Sequence, residues 1–160
     1  MINSAAAILL VEDNEDDVFL LKRALTAAGV ANPVCVARDG EEAVEYLAGE
    51  GRFGDRAAFP LPQLVFLDLK LPLRSGHEVL AWIRERSVFD SMIVVVLTSS
   101  AEASDVRRAY NLGANSYLVK PLTTQQLVNL AAALDWDWKR DASEPSSEGR
   151  APIPLSAVPS

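Results

Sequence analysis

The sequence predicts an α/β fold, a doubly wound parallel sheet with helices on both faces. Three observations lead there. Short apolar runs alternate strictly with stretches of helical spacing, giving five βα units. The runs are continuously apolar, as strands covered on both faces are, and do not alternate apolar with polar as half-solvated strands do. Several of them end abruptly in polar residues, at the sheet edge where open α/β folds hold their ligands. Alternating βα units of this kind connect by right-handed crossovers.

The first strand (β1, 8–11) is Ile8-Leu9-Leu10-Val11, and it runs straight into Glu12-Asp13. Asn14 or Asp16 can cap the first helix, α1, whose first turn is acidic, as the helix dipole favours. Val18, Leu21 and Leu25 then recur at helical spacing, and Gly29 suits the position just past the helix. The second strand (β2) is 34–37. Asp39-Gly40-Glu41-Glu42 has the form of a capping box opening the second helix, α2, which turns Ala43, Val44 and Leu47 inward.

Between Gly49 and Gln63 both periods vanish and Gly49, Gly51, Gly54, Pro60 and Pro62 accumulate, which predicts a surface loop. The loop exceeds the usual connection of about 4–6 residues, so it reads equally as a contact loop or as a tolerated insertion. The third strand (β3) carries Leu64-Val65-Phe66-Leu67 into Asp68, and Pro72 breaks the chain before the third helix (α3, 77–86). The fourth strand (β4, 92–97) ends in Thr98-Ser99-Ser100. The fourth helix (α4, 103–112) stops at Gly113, and the fifth strand (β5, 117–119) ends in Lys120-Pro121. Thr123 with Gln126 forms a capping box for the fifth helix, α5, with Leu127, Leu130, Ala131 and Leu134 on one face. Residues 1–138 read as one domain. The Pro- and Ser-rich stretch 139–160 reads as a disordered tail.

The chain has 160 residues, enough for one sizeable core, and 49% hydrophobic residues exclude wholesale disorder. No apolar run approaches the length of a membrane span, and no secretory signal opens the chain. One cysteine, Cys35, excludes an internal disulfide, and together these features fit a cytoplasmic protein. A net charge of −7 argues against a nucleic-acid partner.

Glu12, Asp13, Asp68, Thr98 and Lys120 all fall at strand ends on one edge. Clustered carboxylates repel one another, and a hard divalent cation such as Mg²⁺ relieves that repulsion. A Mg²⁺ site with one lysine and one hydroxyl suits a phosphoryl group, with a carboxylate as nucleophile. This set, with Tyr117 three residues before Lys120, resembles the bacterial response-regulator receiver domain over about residues 7–136. The resemblance implies a flavodoxin-like (βα)5 fold with strand order 2-1-3-4-5. It implies that Asp68 accepts a phosphoryl group from a sensor histidine kinase. Mg²⁺ would be held by Asp13, Asp68 and the backbone carbonyl of Lys70, with Glu12 acting directly or through water. Lys120 would pair with the phosphate, Thr98 would shift onto a phosphoryl oxygen, Tyr117 would swing inward, and Lys120-Pro121 would be cis. The face formed by α4, β5 and α5 would carry the output, to an unknown downstream protein or to a second copy in a homodimer.

Val11-Glu12-Asp13-Asn14, Ala37-Arg38-Asp39-Gly40, the long loop before β3 and Leu97-Thr98-Ser99-Ser100 narrow the resemblance to stand-alone receivers that partner bacterial and cyanobacterial phytochromes. The kinase would then be a bacteriophytochrome, and the chain no enzyme beyond its own phosphorylation and dephosphorylation. Lys70 departs from the small polar residue often found two after the phosphoacceptor. The same lysine counts against a haloacid-dehalogenase-type phosphatase, which needs a second Asp there as general acid. A phosphorylation-independent receiver-like module is the other alternative, and the intact set of polar strand ends counts against it. Elsewhere the plain readings prevail: His77 a solvated helix residue, Cys35 a buried core thiol, Arg107 and Arg108 solvated. Trp136 and Trp138 end α5, with one of them available to an interface.

Overall fold

The computed structural model describes residues 6–99 and 102–134. A single five-stranded parallel sheet runs through it in the order β2-β1-β3-β4-β5. Its strands are β1 Ala7–Val11, β2 Val34–Ala37, β3 Pro62–Asp68, β4 Ile93–Thr98 and β5 Ser116–Val119. The helices are α1 Glu15–Ala27, α2 Gly40–Ala48, α3 Gly76–Arg84, α4 Ala103–Asn111 and α5 Thr124–Ala133. This is the predicted flavodoxin-like fold. Trp136, Trp138, Ser100 and the stretch 139–160 lie outside the described residues.

Residue parity divides the core, because successive side chains on a strand point to opposite faces. Leu9, Val11, Val65, Leu67, Val94 and Val96 face α2 and α3, burying Tyr46, Leu47, Val79, Leu80 and Ile83. Ile8, Leu10, Leu64, Phe66, Val95 and Leu97 face α1 and α5, burying Leu21, Leu25, Leu127 and Leu130. The three central strands are almost wholly sealed, which their unbroken apolar runs required.

The helix starts follow local chemistry. Asn14 caps α1 by accepting the Asp17 N–H at 3.0 Å, and Asp39 caps α2 by accepting the Glu42 N–H at 2.7 Å. Reciprocal capping boxes open α3 (Ser75 with Glu78) and α5 (Thr123 with Gln126). Gly76 is dictated by proximity. A Cβ there would lie 2.2 Å from the Asp68 carbonyl oxygen, so only glycine lets α3 begin beside the end of β3.

Three expectations need correction. The stretch 49–63 is no plain surface loop. It forms a 3-10 turn at Gly51–Gly54 and buries Phe53, which stacks with Tyr46 and Phe59 at centroid distances of 5.1 and 5.0 Å. Arg56 fastens it to the end of α2 by donating to the Tyr46 and Leu47 carbonyls. Helix-end carbonyls thus gain a cationic donor. His77 is buried at the start of α3, its Nε2 3.3 Å from the Asp105 carbonyl in the first turn of α4. Cys35 is only half-buried, since β2 is an edge strand. Arg107 and Arg108 are exposed, as expected.

Candidate functional site

Strand register assembles the site. Val11 lies opposite Leu67, and Asp68 opposite Leu97. Glu12 is therefore one step past β1 and level with Asp68, the last residue of β3. Thr98, the last residue of β4, lies opposite Val119, and Lys120 is one step further on. The ladder continues past the strands: Glu12 N–H donates to the Ala37 carbonyl, and Lys120 N–H donates to the Thr98 carbonyl at 2.8 Å. Each polar residue is thus fixed by backbone hydrogen bonds at the carboxyl edge. The Lys120-Pro121 peptide is cis.

One carboxylate oxygen from each of Glu12, Asp13 and Asp68 lies within 4.8 Å of the others. Glu12 and Asp68 are buried, and Asp13 is exposed. Lys120 reaches into this group from β5. Its ammonium donates to Glu12, to Asp68 Oδ2 at 2.7 Å and to Asp17 Oδ2 at 2.9 Å. The other Asp68 oxygen, Oδ1, accepts the Lys70 N–H at 2.9 Å, while the Lys70 side chain is exposed. Thr98 is buried beside Asp68 in the adjoining strand. Tyr117 is half-buried and stacks edge-on against Tyr110 of α4, centroids 5.8 Å apart.

The electrostatics follow from burial and crowding. Burial, followed by the neighbouring Asp68 carboxylate, pushes the Glu12 carboxyl up to about 7, with Lys120 and the Asn14 N–H pulling the other way. Burial pulls the Lys120 ammonium down, but its hydrogen bonds to Asp68, Glu12 and Asp17 outweigh this and hold it above its ordinary value. Three carboxyl groups thus hold one cation, with the Asp13 carboxylate beside them. The donor set is all oxygen, hard and anionic, and compact enough for a small divalent cation. It fits Mg²⁺ or Mn²⁺ and would suit a soft metal poorly.

The structure brings Glu12, Asp13, Asp68, Thr98 and Lys120 together, with the Lys70 backbone against Asp68. Tyr117 stands apart from the carboxylates, toward α4. Sequence reasoning missed Asp17. Its place in the acidic first turn of α1 has a sufficient local explanation in the helix dipole, so the pattern alone did not single it out. Among the described residues no helix is long and apolar enough to cross a membrane.

Comparisons with known proteins agree with this geometry. A family model described as the response regulator receiver domain matches residues 8–132. The probable methanogenesis regulatory protein FilR2 of Methanothrix harundinacea is 40% identical over 131 residues, 82% of each chain. Response regulator Rcp1 of Synechocystis is 32% identical over 145 residues, 91% of this chain and 97% of that one. A solved structure of Rcp1 in its Mn²⁺-bound form superposes with a TM-score of 0.68 at 33% identity, covering 88% of this chain and 99% of that one. The bacteriophytochrome response regulator AtBRR superposes with a TM-score of 0.76 at 40% identity, covering 89% of this chain and 100% of that one.

Proposed function

The chain belongs to the response regulator receiver domain family, and from that premise we propose that it is a phosphoacceptor, taking a phosphoryl group on Asp68 from a sensor histidine kinase of the bacteriophytochrome kind. The observation that carries this reading is the placement of Asp68. One of its oxygens is on the Lys120 ammonium at 2.7 Å, the other on a backbone N–H, and the carboxylate contributes one oxygen to a compact cluster with Glu12 and Asp13.

An Asp68 oxygen attacks the phosphorus of a phosphohistidine. The new O–P bond forms as the N–P bond breaks, and the imidazole nitrogen keeps the electron pair and takes up a proton. Asp13, Asp68 and the Lys70 carbonyl, with Glu12 directly or through water, would hold Mg²⁺, which would supply charge neutralisation at the transferring group. Lys120 donates to a phosphoryl oxygen and Thr98 donates its hydroxyl to another. Burial of Asp68 and Thr98 makes each of these contacts stronger than it would be in water. The chain acts only on its own phosphorylation and dephosphorylation, and catalyses nothing else.

Phosphorylation shifts a pre-existing equilibrium. Thr98 moves toward the phosphoryl group, Tyr117 turns into the space vacated, and the face of α4, β5 and α5 changes shape for a downstream protein or for a second copy of the chain. The domain carrying this function is 1–138, with 139–160 a tail beyond it. The kinship with AtBRR and Rcp1 supports the choice of kinase, and the Mn²⁺-bound form of Rcp1 supports a divalent cation.

The test is intact mass after incubation with Mg²⁺ and acetyl phosphate. The wild type gains one phosphoryl group and Asp68→Asn gains none. A gain by both, or by neither, contradicts the assignment.

A further inference from the structure

The Lys120 ammonium has three N–H donors, and all three are taken by carboxylates: Glu12, Asp68 and Asp17. A phosphoryl group arriving on Asp68 needs one of those donors, so a carboxylate must let go. The three differ in how easily they can. Asp68 Oδ2 becomes the ester oxygen and gives up its donor, while Oδ1 stays bonded to the Lys70 N–H. The phosphoryl oxygens lie beyond Oδ2, so the ammonium must shift to reach them and one of the other two carboxylates must yield. The Glu12 side chain is 2% exposed and is also held by the Asn14 N–H at 3.2 Å, so releasing it would strand a charge away from water. The Asp17 side chain is 35% exposed, and water can solvate it once it is released.

We propose that Asp17 is a positioning residue for Lys120, an exchangeable tether that holds the ammonium in the resting state and yields it to the phosphoryl group. This rests on the phosphoacceptor reading given above. The tether spans a shallow cleft between α1 and the end of β5, walled by Leu10, Leu20, Leu21 and Pro121. That apolar wall lowers the local dielectric on one side and strengthens the Asp17–Lys120 attraction, while the open side keeps it breakable. The helix does not depend on the Asp17 side chain. It is the Asp17 backbone N–H that meets the Asn14 cap, and a substitution leaves that bond in place.

The exchange makes Asp17 a brake on phosphoryl uptake. When it is replaced by Asn, Lys120 meets the incoming group without first surrendering a charged partner. A partly exposed ion pair of this kind sets the scale at about a threefold faster uptake. Simple removal of negative charge would also favour an anionic donor, and Asp16 separates the two effects. It is the preceding residue, carries the same charge, is exposed and has no contact with Lys120.

The experiment is the rate of phosphoryl gain by intact mass, with Mg²⁺ and acetyl phosphate, for four full-length chains. Asp17→Asn takes up phosphoryl faster than the wild type, Asp16→Asn keeps the wild-type rate, and Asp17→Glu, which retains a carboxylate, returns toward it. An Asp17→Asn rate equal to the wild type, or an equal acceleration in Asp16→Asn, overturns the tether while leaving Asp68 as phosphoacceptor. No phosphoryl gain in the wild type overturns both readings, because the tether then has no competitor.

Discussion

Two half-buried cations stand at opposite edges of the same sheet, and they are satisfied in opposite ways. Lys120, at the carboxyl edge, is held by acidic groups: Glu12, Asp17 and Asp68, with Asp13 adjoining. Arg84, at the amino edge, has neutral partners. It donates to the carbonyls of Gly113 at 2.9 Å, Phe89 at 3.0 Å and Met92 at 2.8 Å, and to Asn115 Oδ1 at 2.8 Å. Asn115 Oδ1 in turn accepts the Val94 N–H. Burial lowers the Arg84 guanidinium below its ordinary value, whereas the carboxylates hold Lys120 above its own. Arg84 matches its donors to three carbonyls and one amide oxygen, and the arrangement is closed. The cluster at Lys120 carries more negative charge than its one cation balances, and it is open to a divalent cation. The closed edge holds β4, β5 and the end of α4 in place, so that chemistry can be concentrated at the open one.

The largest effect should come from breaking the closed edge. Arg84→Ala removes the hydrogen bonds to the Gly113, Phe89 and Met92 carbonyls and to Asn115 at once, and should cost about 3 kcal/mol in chemical denaturation. That loss should be the same with and without Mg²⁺, because none of the partners is ionised. A loss that Mg²⁺ repairs would erase the distinction between the edges. Arg84→Lys should recover only part, since an ammonium cannot span acceptors on three segments.

The open edge should respond in reverse. The Glu12 carboxyl is raised in the fold from 4.5 to about 7. Its contribution to stability is therefore full below its unfolded value and is lost as pH rises through about 7. Without divalent cations, the wild type should lose stability relative to Glu12→Gln between those values. The difference should be at most about 3 kcal/mol, from the size of the shift. Equal pH profiles for the two proteins would remove the charge excess from the account.

The smallest effect lies away from both edges. The Tyr46 hydroxyl donates to the Pro60 carbonyl at 2.8 Å, and burial, reinforced by Cys35, raises it above its ordinary value of 10. Its stabilisation is present below pH 10 and falls as pH climbs beyond. Tyr46→Phe should cost about 1 kcal/mol at neutral pH and flatten the alkaline decline. An unchanged alkaline limb would show that the decline comes from elsewhere.

The sequence was most readable where structure is local. The sheet was legible because its strands are sealed on both faces, so that Ile8 to Val11 and Leu64 to Leu67 needed no alternation. The candidate site was legible because its residues interrupt those apolar runs at one fixed place, the carboxyl end. The Thr123–Gln126 box was legible from spacing alone. What escaped depended on distant partners. Arg84 bonds to backbone carbonyls, which carry no residue identity. Phe53 and Phe59 pack on Tyr46 from a stretch without period, so nothing marked them as core. His77 is covered by the first turn of α4, a tertiary contact across 28 positions. Asp17 was hidden for another reason: helix capping and the dipole already account for an acidic first turn.

The central claim is that the carboxyl edge is short of positive charge in a way a divalent cation corrects. It is tested most directly by denaturant unfolding of the wild type and Asp13→Asn, each with Mg²⁺ and with a chelator. The account predicts that Mg²⁺ stabilises the wild type, by about 2.7 kcal/mol at one hundred times its dissociation constant, and that Asp13→Asn loses most of this gain. A wild type indifferent to Mg²⁺, or a variant stabilised as strongly, would contradict it.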